Sequence, residues 1–418
     1  MNRTKRSLRV LLLTTPRSYR LEAFREAADR LGVDVVTGMD LPRELAGQWP
    51  GVLAIDFRDP VKAVRDIVAY GLEEPPAAIL AVDDSGSLIA AKASGILGLS
   101  HNHPDAAAAA RDKYLMRRML RDGGLPTPWF QIGSTQEDPK EIAGRVSYPC
   151  VLKPINLNGS RGVMRANNPG ELEAAIARLS RMLVSAGPGE SRSFLVEGYI
   201  PGIEVAMEGL LDRGELHVLA IFDKPDPLEG PFFEETIYVT PSRLPMNLQK
   251  TILKTASDAA LALGLSEGPV HAELRVNEDG VWPIELAGRS IGGLCSEVLR
   301  FGVDGSLEDL ILRQACRMDF RDRLQSLQAS GVMMIPIPRA GILRGVSGIE
   351  EAAAVPLVVG VKITSPLNYP LVPLPEGDSY LGFIFSRGES ADAVELALRQ
   401  AHRCLNFEID SLLAFMPA

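Results

Sequence analysis

The sequence lacks the cysteine pattern of a zinc site or a disulfide framework. Its four cysteines, Cys150, Cys295, Cys316 and Cys404, are far apart, and none belongs to a CxxC pair. Structural zinc sites need closely spaced thiolate or imidazole ligands, so the common zinc modules are excluded. Isolated thiols are typical of proteins from a reducing compartment.

The sequence also lacks long apolar runs and an excess of basic charge. No stretch approaches the roughly 20 apolar residues that a membrane span requires. The net charge is -9, whereas nucleic-acid-binding proteins usually carry a basic surface. Basic residues before Val10–Leu13 imitate a signal peptide, but this apolar run is too short for one and favours a first β-strand. We therefore expect a cytoplasmic protein with no nucleic-acid or membrane partner.

Two common nucleotide-binding fingerprints are missing as well. No GxGxxG motif follows a strand, and no GKS or GKT sequence precedes a helix. A stand-alone Rossmann dehydrogenase and a P-loop enzyme are therefore disfavoured.

Residues 8–104 show the alternation of a parallel α/β sheet. The chain has 418 residues, 46% of them hydrophobic and 23% charged, which indicates two to four globular domains. Short apolar runs such as LRVLLLTT and AAILAVDD alternate with helical periods, which predicts crossover helices between parallel strands. Such sheets usually hold ligands at the carboxyl ends of their strands, here Thr14–Pro16 and Asp83–Ser85.

The stretch from Val270 to Gly293 carries the strongest chemical signal. Apolar and polar residues alternate in VHAELRVN, the turn signal EDG follows, and VWPIEL forms a second run, which predicts a β-hairpin. Strand pairing would bring Glu273 and Glu285 to one sheet face, where two carboxylates need a cation. Solvated glutamates are the ordinary alternative, but the apolar neighbours of Glu285 disfavour it. The following Arg289 and Gly292–Gly293 suit a site for magnesium phosphates.

A helix is predicted upstream, over residues 106–121. Pro104–Asp105 can start it and Gly123–Gly124 can end it. Lys113 and Arg117 lie one turn apart on this helix, and a solvated helix face is the favoured interpretation of that pair.

A lysine at the end of a strand precedes a glycine-rich loop. Residues 150–153 form the predicted strand, Lys153 ends it, and the loop Asn158–Gly162 follows. Such an arrangement can cover phosphates with backbone N–H groups and a positive charge, although an ordinary hairpin turn is an equal alternative.

Two further acids occur in the run SFLVEGYIPGIEVAMEGLL. Glu197 precedes Gly198–Ile200, and Glu204 follows in the next strand. Extended backbone beside an acid can bind an adenine edge, and a second acid can accept ribose hydroxyls. Alternating strands supply such residues by chance just as readily.

Four signals occur in order: Lys113, Lys153 with its loop, Glu197 to Glu204, and the Glu273/Glu285 pair with Arg289. From about Leu8 to Arg317, this order resembles the ATP-grasp superfamily, and within it the L-amino-acid ligase and carboxylate–amine ligase branch. The tail that begins GVMMIPIPRAG resembles the C-terminal domain of that branch.

The resemblance implies an α/β ATP-grasp fold with three domains. An N-terminal Rossmann-like domain would span 1–104, and an ATP-grasp domain with an antiparallel catalytic core would span 105–320, with its lid subdomain at about 137–200. An α+β C-terminal domain would span 321–418.

The resemblance also implies residue roles. Nucleotide contacts are implied for Lys113, Lys153, Asn158, Gly159, Ser160, Arg161, Gly162, Glu197, Gly198, Tyr199, Ile200 and Glu204. Substrate contacts are implied for Lys224, Glu235, Arg289, Gly292 and Gly293, with Arg289 as the catalytic group. Glu273 and Glu285 would ligate magnesium. Many superfamily members have asparagine where this chain has Ala287, so an amide ligand for a second ion is missing and the site holds one or two Mg²⁺ ions.

The expected activity is that of an ADP-forming carboxylate–amine ligase that uses ATP and small-molecule substrates; a homodimer is compatible with it. The carboxylate is expected to be an amino acid, activated as an acyl phosphate and joined to the amine in an amide or dipeptide bond. Asp223–Thr236 is either a proline-stiffened exposed loop or a wall of the substrate pocket. Two other functions stay open: a biotin carboxylase-like enzyme that activates bicarbonate, and a nucleotide-binding module without catalysis, which Ala287 suggests.

Overall fold

A parallel sheet forms the N-terminal part of the chain. The computed structural model describes residues 8–16, 18–42, 44–45, 51–185, 192–302, 305–324 and 328–411. The sheet has the order β3-β2-β1-β4, with β1 (Arg9–Thr14), β2 (Asp34–Asp40), β3 (Val52–Ile55) and β4 (Ala78–Ala81). Helices α1 (Leu21–Leu31), α2 (Pro60–Glu73) and α3 (Asp84–Ile96) connect or follow these strands. The predicted parallel α/β pattern is confirmed, including the strand at Val10–Leu13; the basic residues 1–7 lie outside the described ranges.

The single helix predicted over 106–121 is wrong, because two helices occupy this region. They are α4 (Pro104–Ala109) and α5 (Lys113–Asp122). The side chain of Asp112 accepts a hydrogen bond from the Leu115 amide at 2.8 Å and so caps a new helix. The break sets Lys113 at the first position of α5, where its amide donates to the Ile155 carbonyl at 3.2 Å.

A small antiparallel sheet follows, with the order β5-β8-β6-β7. Its strands are β5 (Phe130–Ser134), β6 (Cys150–Pro154), β7 (Met164–Ala166) and β8 (Ser193–Gly198), and its helices are α6 (Pro139–Gly144) and α7 (Pro169–Ser185). Apolar residues of both helices pack on one face of the sheet in a separate core. The sheet and its two helices therefore form a compact unit on the main body.

The main body is built on one eight-stranded sheet with the order β13-β12-β9-β10-β11-β16-β20-β18. Its strands are β9 (Ile203–Asp212), β10 (Glu215–Asp223), β11 (Ile237–Thr240), β12 (Gly268–Asn277), β13 (Gly280–Ala287), β16 (Ala329–Ile335), β18 (Val358–Ile363) and β20 (Gly382–Gly388). Two short strands, β14 (Arg300–Phe301) and β15 (Gly305–Ser306), pair with each other, and β17 (Gly341–Ser347), β19 (Pro370–Leu371) and β21 (Asn406–Asp410) form a three-stranded sheet. The remaining helices are α8 (Met246–Leu263), α9 (Leu307–Ala315), α10 (Ile349–Ala353) and α11 (Ala391–Cys404).

This sheet crosses the predicted domain boundary between residues 320 and 321. Strand β16 lies beyond the boundary, yet it pairs antiparallel with β11, with Val239 opposite Gly331. The three-domain division stays a prediction. Within the described ranges, we find no helix with the length and apolar character that a membrane crossing requires.

Candidate active site

A cavity of about 540 Å³ lies where the N-terminal sheet, the small sheet and the eight-stranded sheet meet. All the site residues predicted from the sequence line it except Gly162 and Lys224, and Lys224 contacts three acids of its wall. Large concave pockets with converging polar groups are the usual sites of ligand binding. The structure therefore brings together residues that are up to 180 positions apart in sequence, from Lys113 to Gly293.

The predicted hairpin is confirmed, and it positions the two glutamates. Strands β12 and β13 pair antiparallel with Glu273 directly opposite Glu285, and a bulge follows Glu273. Val270, Ala272 and Leu274 are fully buried on the other face, as strand alternation requires. Both glutamates line the cavity, which weakens the alternative of freely solvated side chains.

Three acids surround the ammonium of Lys224. Carboxylate oxygens of Glu204, Glu235 and Glu273 lie within 4.8 Å of one another. Lys224 Nζ lies 2.8 Å from Glu204 and 3.3 Å from Glu273, and it donates a very short hydrogen bond to Glu235. Burial, together with the nearby charge of Glu273, raises the pKa of Glu235 to about 7 even though Lys224 opposes that shift. Burial acts on Glu273 too, but Lys224 and His271 hold its pKa well below the usual value.

His271 and Arg275 belong to this site but were missed from the sequence. His271 Nδ1 lies 3.0 Å from the buried Glu208, and Arg275 Nε donates to Glu204 at 2.8 Å. Burial alone would lower the pKa of His271, but its contacts with the carboxylates of Glu208 and Glu273 raise it to about 9. Strand alternation puts His271 and Arg275 on the same sheet face as Glu273. The sequence pattern could therefore have predicted that both residues belong to the site.

Glu197 lies between two buried cations. Its carboxylate accepts hydrogen bonds from Arg117 Nε at 2.6 Å and Nη2 at 3.1 Å, and Lys153 Nζ lies 2.6 Å away. Burial opposes its ionisation, yet Arg117 and Lys153 lower the pKa of Glu197 to about 2. Lys113 and Arg117 are only 8% and 2% exposed, so the interpretation as a solvated helix face is wrong. The adenine contact implied for Glu197–Ile200 stays a prediction. The carboxylate of Glu197 is already paired with Arg117 and Lys153.

The loop Asn158–Gly162 closes one side of the cavity and contacts two distant segments. Gly159, Ser160 and Gly162 all have positive φ, which favours glycine at the two outer positions. Asn158 Nδ2 donates to Asp84 at 2.7 Å, and the Gly162 amide donates to the Pro375 carbonyl at 2.8 Å. The loop is therefore in contact with the N-terminal sheet region and with the C-terminal part of the chain.

Arg289 pairs with an acid that the hairpin does not supply. Its Nε donates to Asp84 Oδ2 at 2.6 Å, and its Nη1 donates to the Ser290 carbonyl at 2.9 Å. Burial opposes its charge, yet Asp84 raises the pKa of Arg289 above the usual value. Asp84 lies within the predicted ligand-holding segment Asp83–Ser85 and is the first residue of α3. It accepts hydrogen bonds from both Arg289 and Asn158 of the glycine-rich loop.

The far wall of the cavity is apolar and aromatic. Tyr19 and Tyr380 lie edge-on to Phe383, with ring centroids 6.4 and 6.1 Å away. Gly293 has a positive φ, which favours glycine, and a Cβ there would make a tight 3.2 Å contact with the ring of Phe383. From the segment Asp223–Thr236, Phe233 and Glu235 line the cavity, which favours the substrate-wall interpretation for this part of the loop.

Comparisons with known proteins agree with this architecture. The model of the ATP-grasp domain matches residues 146–298, and the model of L-amino acid ligase C-terminal domain 2 matches residues 333–410. The crystal structure of L-amino acid ligase from Bacillus licheniformis superposes with a TM-score of 0.81 at 26% identity, covering 98% of this chain and 100% of that one.

Two curated relatives are similar over about half of this chain. D-alanine--D-alanine ligase of Gloeobacter violaceus is 31% identical over 235 residues, 52% of this chain and 72% of that protein. Alanine--anticapsin ligase of Bacillus subtilis is 29% identical over 259 residues, and the match spans 54% of each chain. The chain thus spans about half the length of the curated alanine--anticapsin ligases it matches.

The fold and cavity define an ATP-grasp architecture, which confirms the fold class expected from the sequence. The chain belongs to the ATP-grasp superfamily, in the branch that carries the L-amino acid ligase C-terminal domain.

Proposed function

We propose that the protein is an ATP-dependent, ADP-forming carboxylate–amine ligase that joins an amino acid to an amine in the cytoplasm. The observation that carries this proposal is the single cavity in which the Glu273/Glu285 pair, two lysines and Arg289 converge. Ligases of this branch bind the triphosphate, the carboxylate and the amine next to one another. The charged side chains of the cavity can bind all three groups. A homodimer stays a prediction.

The chain offers a donor set that fits Mg²⁺. Glu273 and Glu285 face each other across the hairpin on the cavity wall, and magnesium prefers carboxylate oxygens together with water and phosphate oxygens. A bound ion would neutralise charge on the phosphates during transfer. Ala287, two residues after Glu285, is buried and its side chain offers no ligand atom, so water and substrate oxygens would have to complete the coordination of a bound ion.

Lys113 and Lys153 bind the phosphates of ATP in this proposal. Each projects into the cavity beside an acid, Lys113 Nζ at 3.5 Å from Glu285 and Lys153 Nζ at 2.6 Å from Glu197. Their charges favour transfer of the terminal phosphoryl group to a substrate carboxylate oxygen, which releases ADP and forms an acyl phosphate. The amine nitrogen then attacks the activated carbonyl carbon, loses a proton and displaces phosphate. Arg289 stabilises the oxyanion that forms on the way.

The direct test is a screen for ADP release over pairs of amino acids and amines, with the product identified by mass. ADP release that requires both partners, and a product of their combined mass less water, is the expected result. Release that requires bicarbonate instead would favour the carboxylase alternative. The absence of release with every pair, when ATP binding is demonstrated, would favour a non-catalytic nucleotide-binding module.

The substitution Arg289→Lys should reduce turnover at least about tenfold, a loss of roughly 1.4 kcal/mol of transition-state stabilisation. Lysine keeps the charge and the ion pair with Asp84 but loses the fork that holds two oxygens. Steady-state ADP release and a melting curve measure the two effects. The matched control is Arg317→Lys, because Arg317 pairs with Asp212 and Glu267 outside the cavity. Early melting with normal turnover of the folded fraction would instead make Arg289 a structural partner of Asp84.

Hydrogen exchange tests the role of the loop Asn158–Gly162 as a lid. Adding magnesium and a non-hydrolysable ATP analogue should slow amide exchange in this loop, because bound phosphates accept hydrogen bonds from its N–H groups. The gain should concentrate in Gly159 and Ser160, since the Gly162 amide already donates to Pro375. Peptides from α11 serve as the internal control. Unchanged exchange at saturating analogue would contradict the lid assignment.

A further inference from the structure

A second, smaller cavity lies next to the cavity described above, which is called the active-site cavity here. Its volume is about 90 Å³, and it is lined by residues of β4, α3, α4, α9 and the start of β12. It therefore lies where the N-terminal sheet and its helices meet the main body. No step of the proposed reaction takes place in it.

A single segment of chain separates the two cavities. Arg289 and Ile291 line the active-site cavity, whereas the neighbouring Gly288 and Ser290 line the smaller one. Asp84, the partner of Arg289, lines both. A molecule in the smaller cavity would therefore contact the back of the wall that carries Arg289.

Two polar groups of the smaller cavity have no hydrogen-bond partner. Ser94 is 1% exposed, and within the described ranges its buried hydroxyl makes no hydrogen bond. Arg111 lies just after α4 and is partly buried, and its guanidinium makes no hydrogen bond or ion pair with the part of the chain that the structure describes. Leaving such donors unpaired in a buried place costs free energy. Both groups are therefore available to an acceptor that enters the cavity.

The acids that line the smaller cavity already have partners. Asp84 accepts a hydrogen bond from Arg289 at 2.6 Å. Glu267 lies 2.8 Å from Arg317 and accepts a hydrogen bond from Gln314 at 2.8 Å. Arg111, by contrast, has no counter-charge. The cavity therefore favours a ligand with one negative charge.

The size and lining of the cavity limit the ligand further. An apolar cavity of about 150 Å³ holds benzene, which has six carbon atoms, so about 90 Å³ suits a ligand of about four or five non-hydrogen atoms. Small apolar side chains form much of the wall, among them Ala90, Ala91, Ala110 and Ile311. A short alkyl group fits such a surface better than a fully polar ion does.

We propose that the smaller cavity is a second binding site, for a monocarboxylate of the size of acetate or propionate. The two carboxylate oxygens accept hydrogen bonds from Arg111 and Ser94, and the alkyl group packs on the alanines. Phosphate fits less well, because it carries close to two charges and Arg111 supplies one. This proposal concerns binding alone and does not rest on the ligase function.

Methyl NMR can locate a bound carboxylate, because each cavity contains isoleucines. Ile79 and Ile311 line the smaller cavity, and Ile284 and Ile291 line the active-site cavity. With magnesium and a non-hydrolysable ATP analogue saturating the protein, acetate at constant ionic strength should shift the signals of Ile79 and Ile311 with a Kd of roughly 1–10 mM. Shifts confined to Ile284 and Ile291, or no saturable shift up to about 100 mM acetate, would overturn the proposal.

Two further ligands test the chemistry of recognition. Acetamide has the shape of acetate without its charge and should bind at least about tenfold more weakly. Inorganic phosphate should also bind more weakly than acetate. Equal binding of acetate and acetamide would exclude recognition of the charge, and tighter binding of phosphate would exclude a monocarboxylate as the preferred ligand.

Two variants test the site through different properties. Arg111→Met removes the charge and should raise the Kd for acetate at least about tenfold. Ala91→Leu fills the cavity without changing its charge and should abolish the shift of Ile311. The control is Arg118→Met, because Arg118 is exposed on α5 and lines neither cavity, so the Kd should stay within about twofold.

Melting curves establish that each variant is folded before its affinity is compared. Wild-type affinity for acetate in either folded variant would overturn the proposal. Because acetate binding is measured without turnover, failure of the ADP-release screen would overturn the ligase function and leave this binding site standing.

Discussion

The variant Glu285→Gln is expected to lose at least about 100-fold in ADP release, roughly 2.7 kcal/mol of transition-state stabilisation, while keeping its fold. Glutamine has the same shape but no charge, so it weakens a magnesium site built from two opposed carboxylates. Glu285 is 28% exposed and its ion pair is a 3.5 Å contact with Lys113, so its loss should change stability little. Steady-state kinetics over a magnesium titration and a melting curve measure both effects.

The control for this variant lies in the same hairpin. Glu278 is exposed in the turn between β12 and β13, and Glu278→Gln removes an equal charge away from the cavity. It should leave turnover near the wild-type value. If Glu285→Gln behaves like this control at every magnesium concentration, the assignment of the metal ligands fails.

The substitution Arg117→Met should lower the free energy of unfolding by about 3–5 kcal/mol, the usual cost of removing one partner of a buried ion pair. Arg117 is 2% exposed and donates to both oxygens of Glu197. It also donates to the carbonyls of Pro283 at 3.1 Å and Ile284 at 2.9 Å, so it joins α5 to β8 and β13. Methionine fills similar volume and suits a helix, but it leaves these acceptors unpaired.

Chemical denaturation measures this effect, with Arg121→Met as the control. Arg121 lies one turn further along α5 and pairs with Asp122 at the surface, where both side chains are more than half exposed. Its substitution should change stability by less than about 0.5 kcal/mol. A loss of the same small size for Arg117→Met would show that the buried network contributes little, and that Lys153 alone can neutralise Glu197.

Local pattern carried much of the site prediction. The alternation in VHAELRVN predicted the hairpin and put Glu273 and Glu285 on one sheet face, because strand periodicity depends only on adjacent residues. The structure then showed that the two residues are directly opposite each other. The same pattern contained His271 and Arg275, which the interpretation left unused. The helix break at Asp112 was missed because a short run of strong helix formers hides a capping residue inside it.

The sequence by itself determined the α/β class, the hairpin with its two carboxylates and the glycine-rich loop, since each follows from short-range periodicity or turn chemistry. Tertiary structure alone decided which charges meet. Arg289 pairs with Asp84, which is 205 residues away in the sequence, and Arg20 pairs with Glu308, which is 288 residues away. It also decided that Lys113 and Arg117 are buried rather than solvated. Such pairings depend on how elements distant in sequence pack together. A local sequence pattern therefore does not predict which residue will pair with a buried charge.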